Sequence, residues 1–407
     1  MLLNSAVFDV ESLRAEFPSL RSGIAHFDGP GGTQTPRVVG EAIMRTLTGP
    51  LSNRGTVGRS EQLADDAVAA FRDAFADLLG ADPRGIVYGR SATQITYDFS
   101  RHLAKTWKPG DEVVVSRLDH DANVRPWVQA AERAGAVLRW LELDPSTSEL
   151  DTASVEAAIT DRTRLVAVTA ASNLLGTQPP VRAIADRAHA VGALVYVDGV
   201  HYTAHELVDV AALGADFFMC SPYKFLGPHC AVLAAAPALL ETVLPDKLAP
   251  STNDVPERFE FGTLPYEIMA GATAAVDFLA GIAPGSATGR RARLEASLHE
   301  VDAHELRMRM LIEEGLAGLG EGVTLWSRAA KRTPTLLITA EGRDLGDAYE
   351  FLGARDVLAP SGSFYAMEPF QALGLRDENA LRMGVAPYTN ERDVERLLDG
   401  LTEFLAS

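Results

Sequence analysis

From about Ile86 to Val232 seven short apolar runs recur, with helical stretches between them: IVYG, EVVVS, VLRWLEL, LVAVTA, ALVYVD, DFFMCS and AVLAAA. Runs this short and this continuously apolar suit strands buried on both faces. Segments such as PVRAIADRAHAVG carry the period of a covering helix. The alternation predicts an α/β fold with a large, mostly parallel, seven-stranded sheet. A breaker-rich joint, APGSATG at 283–289, precedes RRARLEASLHEVDAHELRMRMLIEEGLAGL, which reads as one long amphipathic helix. TLLITA as a strand, the loop SGSFYAMEP and a final helix ERDVERLLDGLTEFL come after it. The expected division is an N-terminal segment over 1–22, a large domain over 23–284 and a smaller α+β domain over 285–407.

Charge and cysteine usage narrow the function. A formal charge of −18 over 407 residues argues against nucleic acid or anionic membranes as partners. No apolar run reaches membrane-spanning length, and MLLNSAV lacks the basic start and full apolar core of a signal peptide. The two cysteines, Cys220 and Cys230, imply no disulfide framework and fit a reducing cytoplasm. Both flank one turn on strand-like runs and read as small core hydrophobes.

ALVYVD and ADFFMCS are expected to deliver Asp198 and Lys224 to one sheet edge. An aldehyde cofactor with a basic ring nitrogen uses both groups. The carboxylate keeps the ring protonated and electron-withdrawing, and the amine condenses with the aldehyde. Pyridoxal phosphate is such a cofactor. The chain has five Lys against thirty-two Arg, so a Lys in the apolar, Gly-flanked turn SPYKFLG is a departure from local habit. Burial there lowers its pKa. Ser91, Ala92 and Thr93 open a helix after a strand, where free N–H groups suit a phosphate; an ordinary N-cap is the plainer alternative. His120 lies in a strand-to-helix loop, and Arg382 offers a planar fork for a carboxylate. A solvated His, a surface ion pair, a capping Asp and a snorkelling Lys remain the plain alternatives.

YVDGVHYTAH followed by FFMCSPYKFLGP resembles the cofactor segment of fold-type I pyridoxal phosphate enzymes, in the class V aminotransferase and cysteine desulfurase group. RLDHDANV with Pro126-Trp127, ASNLLGT at 171–177, Gly262-Thr263 and LRMGVAPYTN at 381–390 extend the likeness over nearly the whole chain. The resemblance implies that His120 stacks on the cofactor ring and that Asn173 and His201 meet its hydroxyl. Ser221 then binds the phosphate, Thr263 reaches the phosphate of the other subunit of a homodimer, and Arg382 clamps the substrate carboxylate. It also implies that the N-terminal VESLRAEFPSL packs on the small domain.

Three departures matter. Cysteine desulfurases take sulfur on a mobile-loop Cys, but the matching stretch here, PSGSFYAMEP, has none, and Tyr365 best fits the position. Tyr223 precedes the Lys where desulfurases usually carry His. DGPGGTQ at 28–34 lacks the ending of a phosphate loop; the resemblance makes it a loop at the active-site mouth, where Gly31 and its neighbours allow close approach of substrate. His201 and His205 have a zinc-pair spacing, but no third ligand is evident and no metal is expected.

The expected protein is a cytoplasmic, homodimeric, pyridoxal phosphate-dependent enzyme acting at Cα or Cβ of an amino acid or a cysteine conjugate. C–S cleavage by β-elimination, which needs no acceptor Cys, leads. A class V aminotransferase or an isopenicillin epimerase-like enzyme is the alternative. A non-catalytic binding module of the same fold is the third reading, and the presence of Lys224, Asp198, His120 and Arg382 together argues against it.

Overall fold

The computed structural model describes residues 8–285, 287–375 and 380–407. The N-terminal heptapeptide read against a signal peptide, and Ser286 of the 283–289 joint, lie outside the described residues. All seven apolar runs form strands of one sheet: β1 (Ile86–Gly89), β2 (Glu112–Ser116), β3 (Val137–Leu141), β4 (Thr163–Thr169), β5 (Leu194–Asp198), β6 (Phe217–Cys220) and β7 (Ala231–Ala235). Their spatial order is β1-β7-β6-β5-β4-β2-β3. Neighbours are parallel except β7, which runs antiparallel to both β1 and β6.

Side-chain alternation explains why these strands are apolar throughout. Val114, Val166, Val195, Val197 and Phe218 enter one buried cluster, while Val113, Val115, Leu165, Tyr196 and Phe217 enter another on the opposite face. Residues on both faces of the central strands therefore meet a core, while the edge strand β3 is partly exposed, and helices such as Ala92–Ala104, Arg125–Ala134 and Val181–His189 supply the covering layers. Gly199, just past β5, is required by this packing. A Cβ there would lie 1.9 Å from the Phe218 ring.

The C-terminal part holds a second sheet of three antiparallel strands: β8 (Val323–Leu325), β9 (Thr335–Ala340) and β10 (Leu381–Gly384), in the order β8-β9-β10. The helix Arg290–Ala317 spans 28 residues, and its buried Leu294, Leu298, Val301, Met308, Ile312 and Leu316 repeat at helical spacing. The lower part of that stripe shares a third core with Leu336, Ile338, Met383 and Leu397.

Residues 25–28, expected in the large domain, join the C-terminal part: Ala25–His26 pairs in parallel with Val357–Leu358, Asp28 bridges Gly384, and Phe27 is buried in the third core. Two-residue pairings carry no period that a sequence pattern reveals. Further back, Arg14 Nη1 donates to the Tyr388 carbonyl and, at 2.7 Å, to Asp393, while Phe17 packs on both Tyr388 and Phe278. The N-terminal segment thus touches the C-terminal part and the helix Tyr266–Leu279 together.

Candidate active site

Six strands of the main sheet run the same way and end at one edge, and loops leaving them carry the chemistry, as expected of the carboxyl ends of an α/β sheet. Asp198 is the last residue of β5. Its Oδ1 accepts from the Val200 N–H at 2.8 Å, and burial raises its pKa to about 6 against that bond and the charge of Lys224. After β6 the chain turns through Pro222–Lys224, pinned by Lys224 N to Ser221 O and Phe225 N to Pro222 O. Lys224 is thereby held inside the protein, with Nζ donating to the Pro30 carbonyl. Burial, then the positive Arg382, lowers its pKa to about 7, with Asp198 and Asp28 opposing.

A cleft of about 650 Å³ opens in front of Lys224, bordered by Gly31, His120, Phe364, Tyr365 and Arg382. Behind it a slot of about 70 Å³ is lined by Ala92, Thr93, His120, Asn173, Asp198 and His201, and Lys224 borders both spaces. Burial lowers the His120 pKa to about 4, so the ring is neutral, and its Nδ1 accepts from the Ala122 N–H at 3.0 Å. The preceding Asp119 anchors this loop. It accepts from Asn123 Nδ2 at 2.6 Å, from the Thr169 N–H at 3.0 Å and from the Ser116 hydroxyl.

The 28–34 loop is strapped to the lysine turn. Thr33 N donates to the Tyr223 carbonyl at 2.9 Å, and Leu226 N donates to the Thr33 hydroxyl at 2.8 Å. Gly31 serves close approach within the protein itself: a Cβ there would lie 3.1 Å from the Asp28 carbonyl and 3.4 Å from Arg382 Nη2. Arg382, on β10, is fully buried. Its Nη1 donates to the Asn173 carbonyl at 3.0 Å, and the Phe364 ring covers the guanidinium at 3.6 Å. Burial pulls its pKa down to about 9, leaving it charged at neutral pH.

Other expected residues stand at the margins of this constellation or outside it. Ser91 is exposed and caps the helix Ala92–Ala104 by accepting from Gln94 N at 3.1 Å, so the plainer N-cap reading describes its side chain. The N–H groups of Ala92 and Thr93, in the first turn, have no intrahelical carbonyl to bond. Thr263 is exposed and borders a separate small cavity with Arg90 and His102, away from the cleft of its own chain. Tyr365 stands at the cleft mouth, 75% exposed, and comes after Phe364 in the left-handed region, with φ of 57° and 54°. His201 and His205 flank a 3-10 turn and face different partners: His201 Nε2 meets the Thr333 and Thr335 hydroxyls, and His205 Nδ1 lies 2.7 Å from Glu305. Among the described residues no group of three or more His, Cys, Asp or Glu is arranged to hold a metal.

Sequence reasoning missed Pro30, Phe364, Thr333, Thr335 and Glu305. The last three lie 100 or more positions from the histidines they meet, and no spacing rule joins them.

The residues present fit pyridoxal phosphate. Asn173 Oδ1 and Ser221 Oγ are buried without a hydrogen-bond partner, the condition of groups that a polar ligand satisfies. A buried amine of lowered pKa and a buried carboxylate complete the requirement. The family model for aminotransferase class-V matches residues 25–397. The chain belongs to that family. It is therefore a pyridoxal phosphate-dependent enzyme of cysteine desulfurase-like type. It is 31% identical to an uncharacterised Mycobacterium tuberculosis protein over 97% of this chain and 98% of that one. It is 30% identical to a probable cysteine desulfurase of Pseudomonas putida, over 98% and 99%. The crystal structure of the cysteine desulfurase CsdA of Escherichia coli superposes with a TM-score of 0.86 at 25% identity, covering 98% of this chain and 99% of that one.

Proposed function

We propose that this class V enzyme cleaves a C–S bond at Cβ of a cysteine conjugate by β-elimination, releasing a thiol without a persulfide on the protein. One observation carries the reading: no thiol borders the cleft. The chain's two cysteines, Cys220 and Cys230, are both buried, and burial raises both thiol pKa values. A buried, protonated thiol is a poor sulfur acceptor. The loop position where a desulfurase carries its Cys holds Tyr365.

Pyridoxal phosphate supplies the electron sink that a substrate carbanion needs. Asp198 would pair with its ring nitrogen, His120 would cover its face, and Asn173 and His201 would meet its hydroxyl. Ser221, with the first-turn N–H groups of Ala92 and Thr93, would receive the phosphate, and Thr263 of a second subunit would complete that cradle. Arg382 binds the substrate carboxylate and orients Cα toward Lys224 Nζ, which removes the proton. A pKa near 7 leaves a useful fraction of that amine neutral. Gly31 and Tyr365 border the space for the leaving group. We place the protein in the cytoplasm, as a homodimer, with the large and small domains meeting near residue 285.

Purified enzyme incubated with S-substituted cysteines should yield pyruvate, ammonia and thiol in equal amounts. Keto acid that forms only with an added acceptor would establish the aminotransferase reading instead. Sulfane sulfur trapped on Cys220 or Cys230 would overturn the acceptor-free mechanism.

A further inference from the structure

We infer that Thr333 and Thr335 are positioning residues for the cofactor slot: their hydroxyls converge on Nε2 of His201 and hold its proton on Nδ1, the nitrogen left for the ring hydroxyl. The inference rests on the assignment of the inner slot to the cofactor, not on which bond the enzyme breaks.

His201 leaves β5 just after Asp198 and lines the inner slot. Its Nε2 lies 2.9 Å from the Thr333 hydroxyl and 2.9 Å from that of Thr335. A neutral imidazole has one donor and one acceptor nitrogen, so whatever Nε2 does fixes Nδ1 to the opposite role. Thr335 decides the choice. Its side chain is fully buried, and among the described residues His201 is the partner of its hydroxyl. If Nε2 carried the proton, the Thr335 hydroxyl hydrogen would be buried with nothing to accept it, the costly arrangement for a buried donor. Thr333 has a second outlet, the Gly176 carbonyl at 3.4 Å, and tolerates either arrangement. The hydroxyl of Thr335 therefore donates, and Nδ1 becomes the donor.

The surroundings keep the ring neutral, which the tautomer argument requires. His205 faces it from the same turn, with ring centroids 4.9 Å apart, and Glu305 of the long helix holds His205 from behind. Lys224 and Arg382 add positive charge from the turn after β6 and from β10, and Asp198 ends β5, which His201 follows. Burial first, then His205, Lys224 and Arg382, lowers the His201 pKa. Thr335 opens β9, whose partner β10 carries Arg382, so one small sheet touches both ends of the site.

Visible absorbance of bound pyridoxal phosphate, titrated from pH 5 to 9, tests the assignment without any turnover. In T333V/T335V the ionised ring hydroxyl loses its donor. The apparent pKa of the band should rise by roughly half a unit to one unit, the size of one lost hydrogen bond. T333S/T335S should restore it, and Thr335→Val alone should shift it in the same direction. In a His201→Gln background, where an amide donor needs no fixed tautomer, the paired valines should leave the titration unchanged. An unshifted band in T333V/T335V, or an equal shift in the His201→Gln background, overturns the inference. Wild-type protein that shows no band at all sinks the slot assignment itself.

Discussion

Lys224 and Arg382 are two buried cations on the same cleft, delivered by different sheets, and they bear the cost of burial in opposite ways. The main-sheet turn closes around the Lys224 ammonium and moves its pKa to about 7. The small sheet encloses the Arg382 guanidinium and leaves it charged, with a carbonyl at one Nη and the Phe364 ring at 3.6 Å. An ammonium is a strongly hydrated point charge that gives up its proton when dried. A guanidinium is weakly hydrated, planar and content against an aromatic face. One side chain thus becomes a base, and the other stays a fixed positive charge for a carboxylate. Exchanging the two residue types would abolish both roles.

The difference can be broken at either end. Lys224→Ala should lower turnover on the order of 10⁴-fold and remove the borohydride-fixable cofactor band; a variant that keeps both would overturn the assignment of the amine. Arg382→Ala should lower kcat/KM roughly 10²- to 10³-fold, mostly through KM. Arg382→Lys should rescue little, because a buried ammonium at that position would lack the fork and shed its proton; near-wild-type KM in that variant would show that the planar guanidinium is dispensable.

Proton linkage supplies a third test, on cofactor-free protein. Lys224 has a folded pKa of about 7 against an ordinary 10.5, so between those values the unfolded chain holds a proton that the folded chain lacks. Stability should rise with pH across that window, by at most about 1.4 kcal/mol per unit, and level off above it. Urea midpoints at pH 7, 8 and 9 should show a shallower rise in Lys224→Met than in wild type. Parallel lines would mean that the lysine is not dried by the fold. The smallest effect is expected at the cap: Phe364→Ala should raise KM about three- to tenfold, with kcat nearly unchanged.

Different parts of this molecule were legible to different degrees. The seven main strands and the 28-residue helix could be read because each is long enough to show its own period, with apolar runs for strands buried on both faces and a 3–4 spacing for the helix. The reversed direction of β7 could not, since a strand covered on both faces has the same letters either way up. His120, Asp198, Lys224 and Arg382 were singled out from the residues and Asn173 and His201 from the resemblance, and the fold brings all six around one cleft and its inner slot. Thr263 was also singled out by the resemblance, and it lies outside that cleft in its own chain.

The letters alone establish which chemistry is available: an amine and a carboxylate ending adjacent apolar strands, an arginine near the C-terminus, and no thiol in the stretch where a desulfurase carries one. These are properties of residue type and of near neighbours along the chain, and local periodicity reports them. Folding settled how far each group is dried and what it leans on: Lys224 against the Pro30 carbonyl, Arg382 beneath Phe364, and His201 against Thr335 of the other sheet and Thr333 just before it. Those contacts join residues 18 to 194 positions apart. They exist because packed sheets exclude water, and dehydration sets the charge that each group carries.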